Sequence, residues 1–264
     1  MKNPVTICVI NYKTLELTKL CLRSIRKYTN YPYQVMVVDN DSQDESTQYL
    51  KSLKWIRLIE RKKETSSGGY EHAAALDLGL RSCDTEFFMS LHSDTFVHRD
   101  NWLTDLMSYF TPQTACVGSD KVDMAPQWQI WLKKTTDFRT FKRILLKTPD
   151  PLGVYRYYNR TVCSIYRKDV LDKEGLTFMM GREQGLTAGK KLYFELVDRG
   201  YNTVELADPV MKKYVWHLAH ATQVVNSDEF KLRDKTIRKT SGLIKNILNC
   251  PQVQDILADK ELDK

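Results

Sequence analysis

The chain has 264 residues, 42% hydrophobic and 28% charged, with 40 Lys and Arg against 33 Asp and Glu, a formal net charge of +7. That length suits one large α/β domain, or one domain with an appendage. The longest apolar runs, such as "VTICVI" (5–10), are far too short to cross a bilayer. Positive charge admits nucleic acid, an anionic membrane surface or a phosphorylated ligand. The basic residues are spread along the chain and form no recognised nucleic-acid module, which sets nucleic acid aside.

The opening "MKNPVTICVINY" enters a strand-like run with no cleavage site, so no secretion signal is expected. Six cysteines (8, 21, 83, 116, 163, 250) are scattered without a C-x-x-C pair. They read as reduced, buried thiols of a cytoplasmic protein, neither a zinc site nor a disulfide frame. On the same ground the sequon Asn159-Arg160-Thr161 reads as chance.

The first 110 residues alternate strand and helix patterns. "VTICVI" (5–10) is a strand. "LELTKLCLRSIRKYT" (15–29) sets Leu17, Leu20, Cys21, Ile25 and Tyr28 at helical spacing. "YQVMVVDN" (33–40) is a second strand. Ser42 with Glu45 three residues on has the form of a capping box, opening a helix to about Leu53. "WIRLIE" (55–60) is a third strand, followed by the polar loop "RKKETSSGG" (61–69) and the helix "YEHAAALDLGLRS" (70–82). "TEFFMSL" (85–91) is the fourth strand, and "RDNWLTDLMSYF" (99–110) a further helix.

This alternation predicts a mostly parallel sheet with right-handed crossovers, flanked by helices. Ligands of such sheets bind outside the carboxyl ends of the strands. Asn11 and Tyr12 end strand one, Asp39 and Asn40 end strand two, and Ser93 and Asp94 end strand four. Three polar clusters therefore converge on one edge. Phe96 and Val97 resume the apolar run and are expected to pack below it.

The second half is less regular. "YNRTVCSIYRKDVL" (158–171) predicts a strand running into a helix. "LTAGKKLYFELVDRGYNTVEL" (186–206) predicts a helix stopped by Gly200, then a strand. "MKKYVWHLAHAT" (211–222) predicts a strand entering a histidine-bearing loop, and the pattern from about Val225 is helical. The stretch 128–147 mixes Trp128, Trp131, Phe138 and Phe141 with Lys133, Lys134, Arg139 and Lys142. As a helix it could lie on an anionic membrane, pack with a solvated basic face, or flank an acceptor site.

Taken in order, "VTICVINYKTLELTKLCLRSI" (5–25), "VMVVDNDSQDEST" (35–47), "SGGYEHAAALDLGL" (67–80), "FMSLHSDTFVHRDNWL" (88–103) and "VWHLAHAT" (215–222) resemble a family 2 glycosyltransferase with the GT-A fold. The resemblance implies a transferase domain over 1–224, with a nucleotide-binding half (1–110) and an acceptor-side half (111–224), and a C-terminal helical extension (225–264). It implies a nucleotide-diphosphate sugar as donor, UDP-linked, and a glycan or lipid-linked glycan as acceptor. It also implies polysaccharide synthesis in the cytoplasm or at the inner face of a membrane, and inversion at the sugar carbon.

The residues follow position by position. Asp39 matches the aspartate that contacts the nucleoside. The acidic motif after strand four, normally Asp-x-Asp, here reads His92-Ser93-Asp94. Asp94 matches its metal-binding carboxylate, and His217, with His220 second, matches a histidine that completes the metal shell; His92 stands where the first aspartate would be. Asn11, Tyr12, Asn40 and Ser93, with Gly69 and His72, are the other expected donor contacts. A divalent cation clamping both phosphates stabilises the charge on the departing nucleoside diphosphate. Mg²⁺ or Mn²⁺ would serve, and imidazole ligands suit Mn²⁺. Lys13 and the lysines near 61–63 can add to phosphate neutralisation.

An inverting transfer also needs a carboxylate to take the acceptor's proton. Glu183, ahead of the helix in "MMGREQGLTAGKKLYFEL" (179–196), is the candidate, although Gln184 replaces the usual second acid; Asp208 is a distant second.

Each residue also has a plainer role open to it. Asp94 can cap a helix or pair with Arg99, and Asp39 can form a turn with Asn40 and Asp41. His72, His217 and His220 can be hydrogen-bonded structural residues. Two other functions stay open: a catalytically degenerate carbohydrate- or membrane-binding protein on this fold, and a sugar nucleotidyltransferase. The second is disfavoured because "NYKTLE" (11–16) has no glycine where that class carries a phosphate loop.

Overall fold

The computed structural model describes residues 4–120, 122, 124 and 157–264. Both 128–147 and the membrane or acceptor roles assigned to it lie outside the described residues. Strand β1 (Val5–Asn11) is buried along its whole length, as a strand covered on both faces must be. Helix α1 (Leu15–Tyr28) follows, then β2 (Tyr33–Asn40), α2 (Glu45–Ser52), β3 (Ile56–Arg61) and α3 (Gly68–Ser82). Next come β4 (Phe87–His92), β5 (Thr95–Val97), α4 (Trp102–Met107) and β6 (Thr114–Gly118). Beyond the gap lie β7 (Cys163–Arg167), α5 (Lys168–Glu174), α6 (Lys190–Asp198), β8 (Asn202–Glu205), α7 (Asp208–Met211) and β9 (Val215–His217). Helices α8 (Ala221–Val225), α9 (Asp234–Leu248) and α10 (Pro251–Ala258) complete the chain.

Seven strands form one sheet in the order β3-β2-β1-β4-β7-β6-β8. The expected strands one to four are its parallel half, paired β2–β1, β1–β4 and β2–β3. β7 runs antiparallel to β4 and β6, and β8 parallel to β6. The sheet separates two cores. Val5, Ile7 and Val9 of β1 face one, with Leu17, Leu20 and Ile25 of α1. Cys8 and Ile10 face the other, with Ala73, Ala75 and Leu76 of α3. This period-2 division follows from the pleat. Gly79 lets α3 sit close, since a Cβ there would come within 2.5 Å of Cys8 Sγ.

The helix expected to open at Ser42 begins later. Asp44 caps α2, its carboxylate accepting from Ser46 N, and Ser42 turns its hydroxyl inward to Asp39 and Asn11. A buried carboxylate nearby is the better acceptor for that hydroxyl. The helix expected over 99–110 shortens to α4, where Asn101 at its start takes a left-handed φ of 62°.

Helix α10 and the 3-10 turn that follows it (Lys260–Asp263) pack on α1. Val253 and Ile256 join its core, and Arg23, 4% exposed, binds Asp263 through Nε (2.8 Å) and Nη2. Among the described residues no helix is long and apolar enough to cross a membrane.

Candidate active site

Strand register sets the level of the site. Asn11 pairs with Asp39, and Ile10 with His92, so three parallel strands end together. Asp39 is buried, and its carboxylate is already engaged. Oδ1 accepts from Asn11 Nδ2 (2.9 Å) and from Ser42, and Oδ2 accepts from Thr47 Oγ1 (2.5 Å). Asn11 also donates to Ser46 (2.8 Å) and accepts from Thr18 (2.7 Å). Together they lock the exit of β1 to the start of α2.

A cavity of about 780 Å³ opens beside them, within the usual size of a small-molecule site. Of the expected residues, Tyr12, Asn40, Gly69, His72, His92, Ser93, Asp94, His217 and His220 line it; Asp39 and Asn11 stand behind its wall. Glu183 is exposed on a 3-10 turn and does not line the cavity, whereas its neighbour Arg182 does. Asp208 pairs with Lys212 (2.9 Å) and also lies outside it.

His92, Asp94 and His217 offer one ligand atom each within 4.8 Å of one another. The strand ribbon builds this group. β5 pairs antiparallel with β9, Thr95 opposite His217, which sets His217 Nε2 3.5 Å from Asp94 Oδ1. Phe96 and Val97, each 1% exposed, anchor the ribbon in the core. His92 Nδ1 is 3.8 Å from the same carboxylate oxygen. The far nitrogen of each ring is held. His217 Nδ1 lies 3.3 Å from the carbonyl of Val122, and His92 Nε2 lies 3.2 Å from Thr161 Oγ1. Such outer partners orient metal-binding imidazoles.

A divalent cation fits this donor set. Asp94 Oδ1 is buried without a hydrogen-bond partner. An orphaned buried carboxylate oxygen is costly, and a cation among the three atoms would offset that cost. Burial pushes the Asp94 carboxyl up, against the opposing pull of His217. Burial, then His72, His217 and Arg160, holds His92 well below the usual imidazole range; burial and Arg182 bring His72 down to about 4. Neutral imidazoles keep a nitrogen lone pair for a cation.

Sequence reading missed Thr161, Arg160 and Arg182, which line the same cavity. A signal existed for the first two. β7 is antiparallel, so the residues just before it reach the edge where β4 ends; His92 N donates to Val162 O at 3.0 Å. Arg182 arrives only through the fold, its guanidinium lying over Gly69, where a Cβ would meet Nη2 at 2.6 Å.

The family model of glycosyl transferase family 2 matches residues 6–173. The chain belongs to that family. In this family 2 glycosyltransferase the match runs from β1 to α5 and takes in the whole parallel half of the sheet. Solved structures share the GT-A fold. The mannosyltransferase PcManGT from Pyrobaculum calidifontis, in complex with GDP-Man and Mn2+, is 15% identical with a TM-score of 0.54, over 98% of this chain and 75% of that one. TarS 1–349 from S. aureus is 18% identical with a TM-score of 0.54, over 98% and 70%. The same TarS fragment with UDP-GlcNAc gives 19% and 0.50, over 98% and 71%. No curated protein matches the chain in sequence.

Proposed function

We propose that this glycosyltransferase moves a sugar from a nucleoside-diphosphate donor, UDP-linked, to a hydroxyl of a glycan or lipid-linked glycan, with inversion. The observation that carries the reading is the orphaned Asp94 Oδ1 between two oriented imidazoles in the cleft at the strand ends. His92, Asp94 and His217 would hold Mn²⁺ or Mg²⁺, and the nitrogen donors favour Mn²⁺. When bound, the cation supplies charge neutralisation to the leaving diphosphate. Tyr12, Asn40, Gly69, His72 and Ser93 bind and orient the donor from the cavity wall. Asp39 and Asn11 fix the floor behind them.

Glu183 is the base we propose for the acceptor hydroxyl. It is exposed and follows Arg182, which lines the cleft, and catalytic contacts often tighten in the loaded complex. The six cysteines are free, in keeping with a cytoplasmic enzyme. A lipid-linked acceptor would bring the enzyme to the inner face of a membrane.

The test is a thermal-shift screen of UDP, GDP, CDP and dTDP, each with and without Mn²⁺. Only ligands that favour the folded state raise the melting temperature. One diphosphate should stabilise the protein in the presence of metal alone, and its sugar conjugate should turn over with an acceptor. Equal shifts without metal would overturn the metal role. Binding without turnover would favour the carbohydrate-binding alternative.

A further inference from the structure

The segment after α8 reaches the Tyr12 side of the cleft and anchors there through one carboxylate. Glu229 accepts from Tyr12 OH and from Lys13 Nζ (2.5 Å), and Lys63 Nζ stands 4.0 Å away. Lys63 Nζ also donates to Tyr12 OH (2.6 Å) and lies 4.1 Å from the Tyr12 ring centre. Phe230 sets its ring edge-on to Tyr12, centroids 6.3 Å apart, and closes on Gly68. Asn226 Nδ2 donates to the carbonyl of Lys13 (3.3 Å). Tyr12, Lys63, Glu229 and Phe230 line the same cavity as the His-Asp-His group.

The other cavity carboxylates are committed. Glu71 is buried against Arg61, and Asp94 belongs to the metal group. Glu229 differs, because it is exposed and its contacts are exchangeable. Exposed ion pairs contribute little stability, so an anion with more oxygens and more charge can displace this one. Two ammonium groups and a phenol hydroxyl converging on one acceptor are also the donors that phosphate oxygens seek.

We propose that Lys13, Lys63 and Tyr12 form an anion subsite for phosphate oxygens of the donor, and that Glu229 is its internal occupant until the donor arrives. This rests on the donor reading above. Each donor that binds must first displace Glu229, so the apparent affinity is reduced by the fraction of molecules in which the subsite is closed.

The experiment titrates wild type, Glu229→Gln, Lys63→Ala and the double variant with UDP, with inorganic pyrophosphate and with uridine, all in Mn²⁺. Glu229→Gln should tighten UDP and pyrophosphate about three- to tenfold, the scale set by the fraction of closed subsites it releases. Uridine affinity should not move. Lys63→Ala should weaken both phosphate ligands, and in the double variant the tightening should shrink, as coupled residues require. Unchanged or weaker UDP binding by Glu229→Gln overturns the subsite and leaves the donor reading intact. Equal tightening of uridine would mean simple obstruction and also overturns it. If wild type and Glu229→Gln bind neither UDP nor pyrophosphate, both readings fall.

Discussion

Thr95 pairs with His217 across the β5–β9 ribbon, and this one pairing delivers the second imidazole to Asp94. The ribbon stands apart from the main sheet and is held by apolar packing of Phe96, Val97 and Val215. Fold stability and the geometry of the His-Asp-His group are thus coupled through the two strands of this ribbon.

Asp94 is expected to cost stability when no cation is bound. Asp94→Asn removes the charge of a buried carboxylate whose Oδ1 has no hydrogen-bond partner, while keeping its shape. The variant without ligand should melt at or above the wild-type temperature. It should lose the stabilisation by Mn²⁺ with nucleotide, and with it donor turnover. A melting curve with and without Mn²⁺ checks both. A variant that keeps the metal-dependent shift would remove Asp94 from the metal site.

Thr161 orients His92 Nε2 (3.2 Å) and reaches His72 Nε2 (3.4 Å). Thr161→Val keeps the volume and deletes the hydroxyl. Loss of an outer-shell partner typically weakens metal binding about ten- to a hundredfold. Mn²⁺ titration followed by electron paramagnetic resonance should show a loss of that order with an unchanged far-ultraviolet spectrum. Wild-type affinity would show that Thr161 does not set the ring.

Glu71 ties the loop after β3 to α3. Its buried carboxylate accepts from Arg61 and from the backbone of Thr65 (2.6 Å) and Glu64 (3.1 Å). Burial alone would raise its pKa; Arg61 and the Thr65 donors outweigh that and hold it below the usual 4.5. A lowered folded pKa gives stability that is complete above pH 4.5 and is lost as pH falls through the lower folded value. Glu71→Gln should therefore cost about 2 kcal/mol near neutrality, the scale of hydrogen bonds to a charged group, and the gap to wild type should narrow in acid. Denaturant titrations at several pH values measure it. A gap that is constant down to strong acid would refute the assignment.

Asp263 secures the C-terminal helices to the domain. Asp263→Ala leaves the buried Arg23 guanidinium without its carboxylate and also frees Tyr49 OH (2.7 Å). Breaking one side of a buried pair costs about 3 kcal/mol. At this chain length that lowers the melting temperature by roughly 6–12 °C. A change under 2 °C, on the order of an exposed pair, would show that Val253 and Ile256 hold the helices without it.

Much of the fold was legible because hydrophobic period and turn chemistry are local. β1, α1, β2, β3, α3 and β4 fall within a residue or two of where the patterns place them. Ser42 was misread as a cap because its competing acceptor, Asp39, becomes its partner only in the folded chain. The candidate site divides in the same way. Asp94 was legible from the sequence, since a carboxylate interrupting an apolar strand needs a partner, whereas His217 was named only through the resemblance to the family. The sequence does not say that Asp39 accepts from Asn11, Ser42 and Thr47, or that Arg160, Arg182 and Glu229 enter the cleft.

By itself the sequence determined the strand–helix alternation, the parallel half of the sheet and the edge at which chemistry gathers, because residue period, burial and strand direction are properties of neighbouring residues. The tertiary structure alone decided which distant side chains share an atom's neighbourhood. Antiparallel β7 brought Thr161 to His92, the ribbon brought His217 to Asp94, and the segment after α8 laid Glu229 on Lys13. Those distances depend on register and packing across the whole chain, which no local pattern encodes.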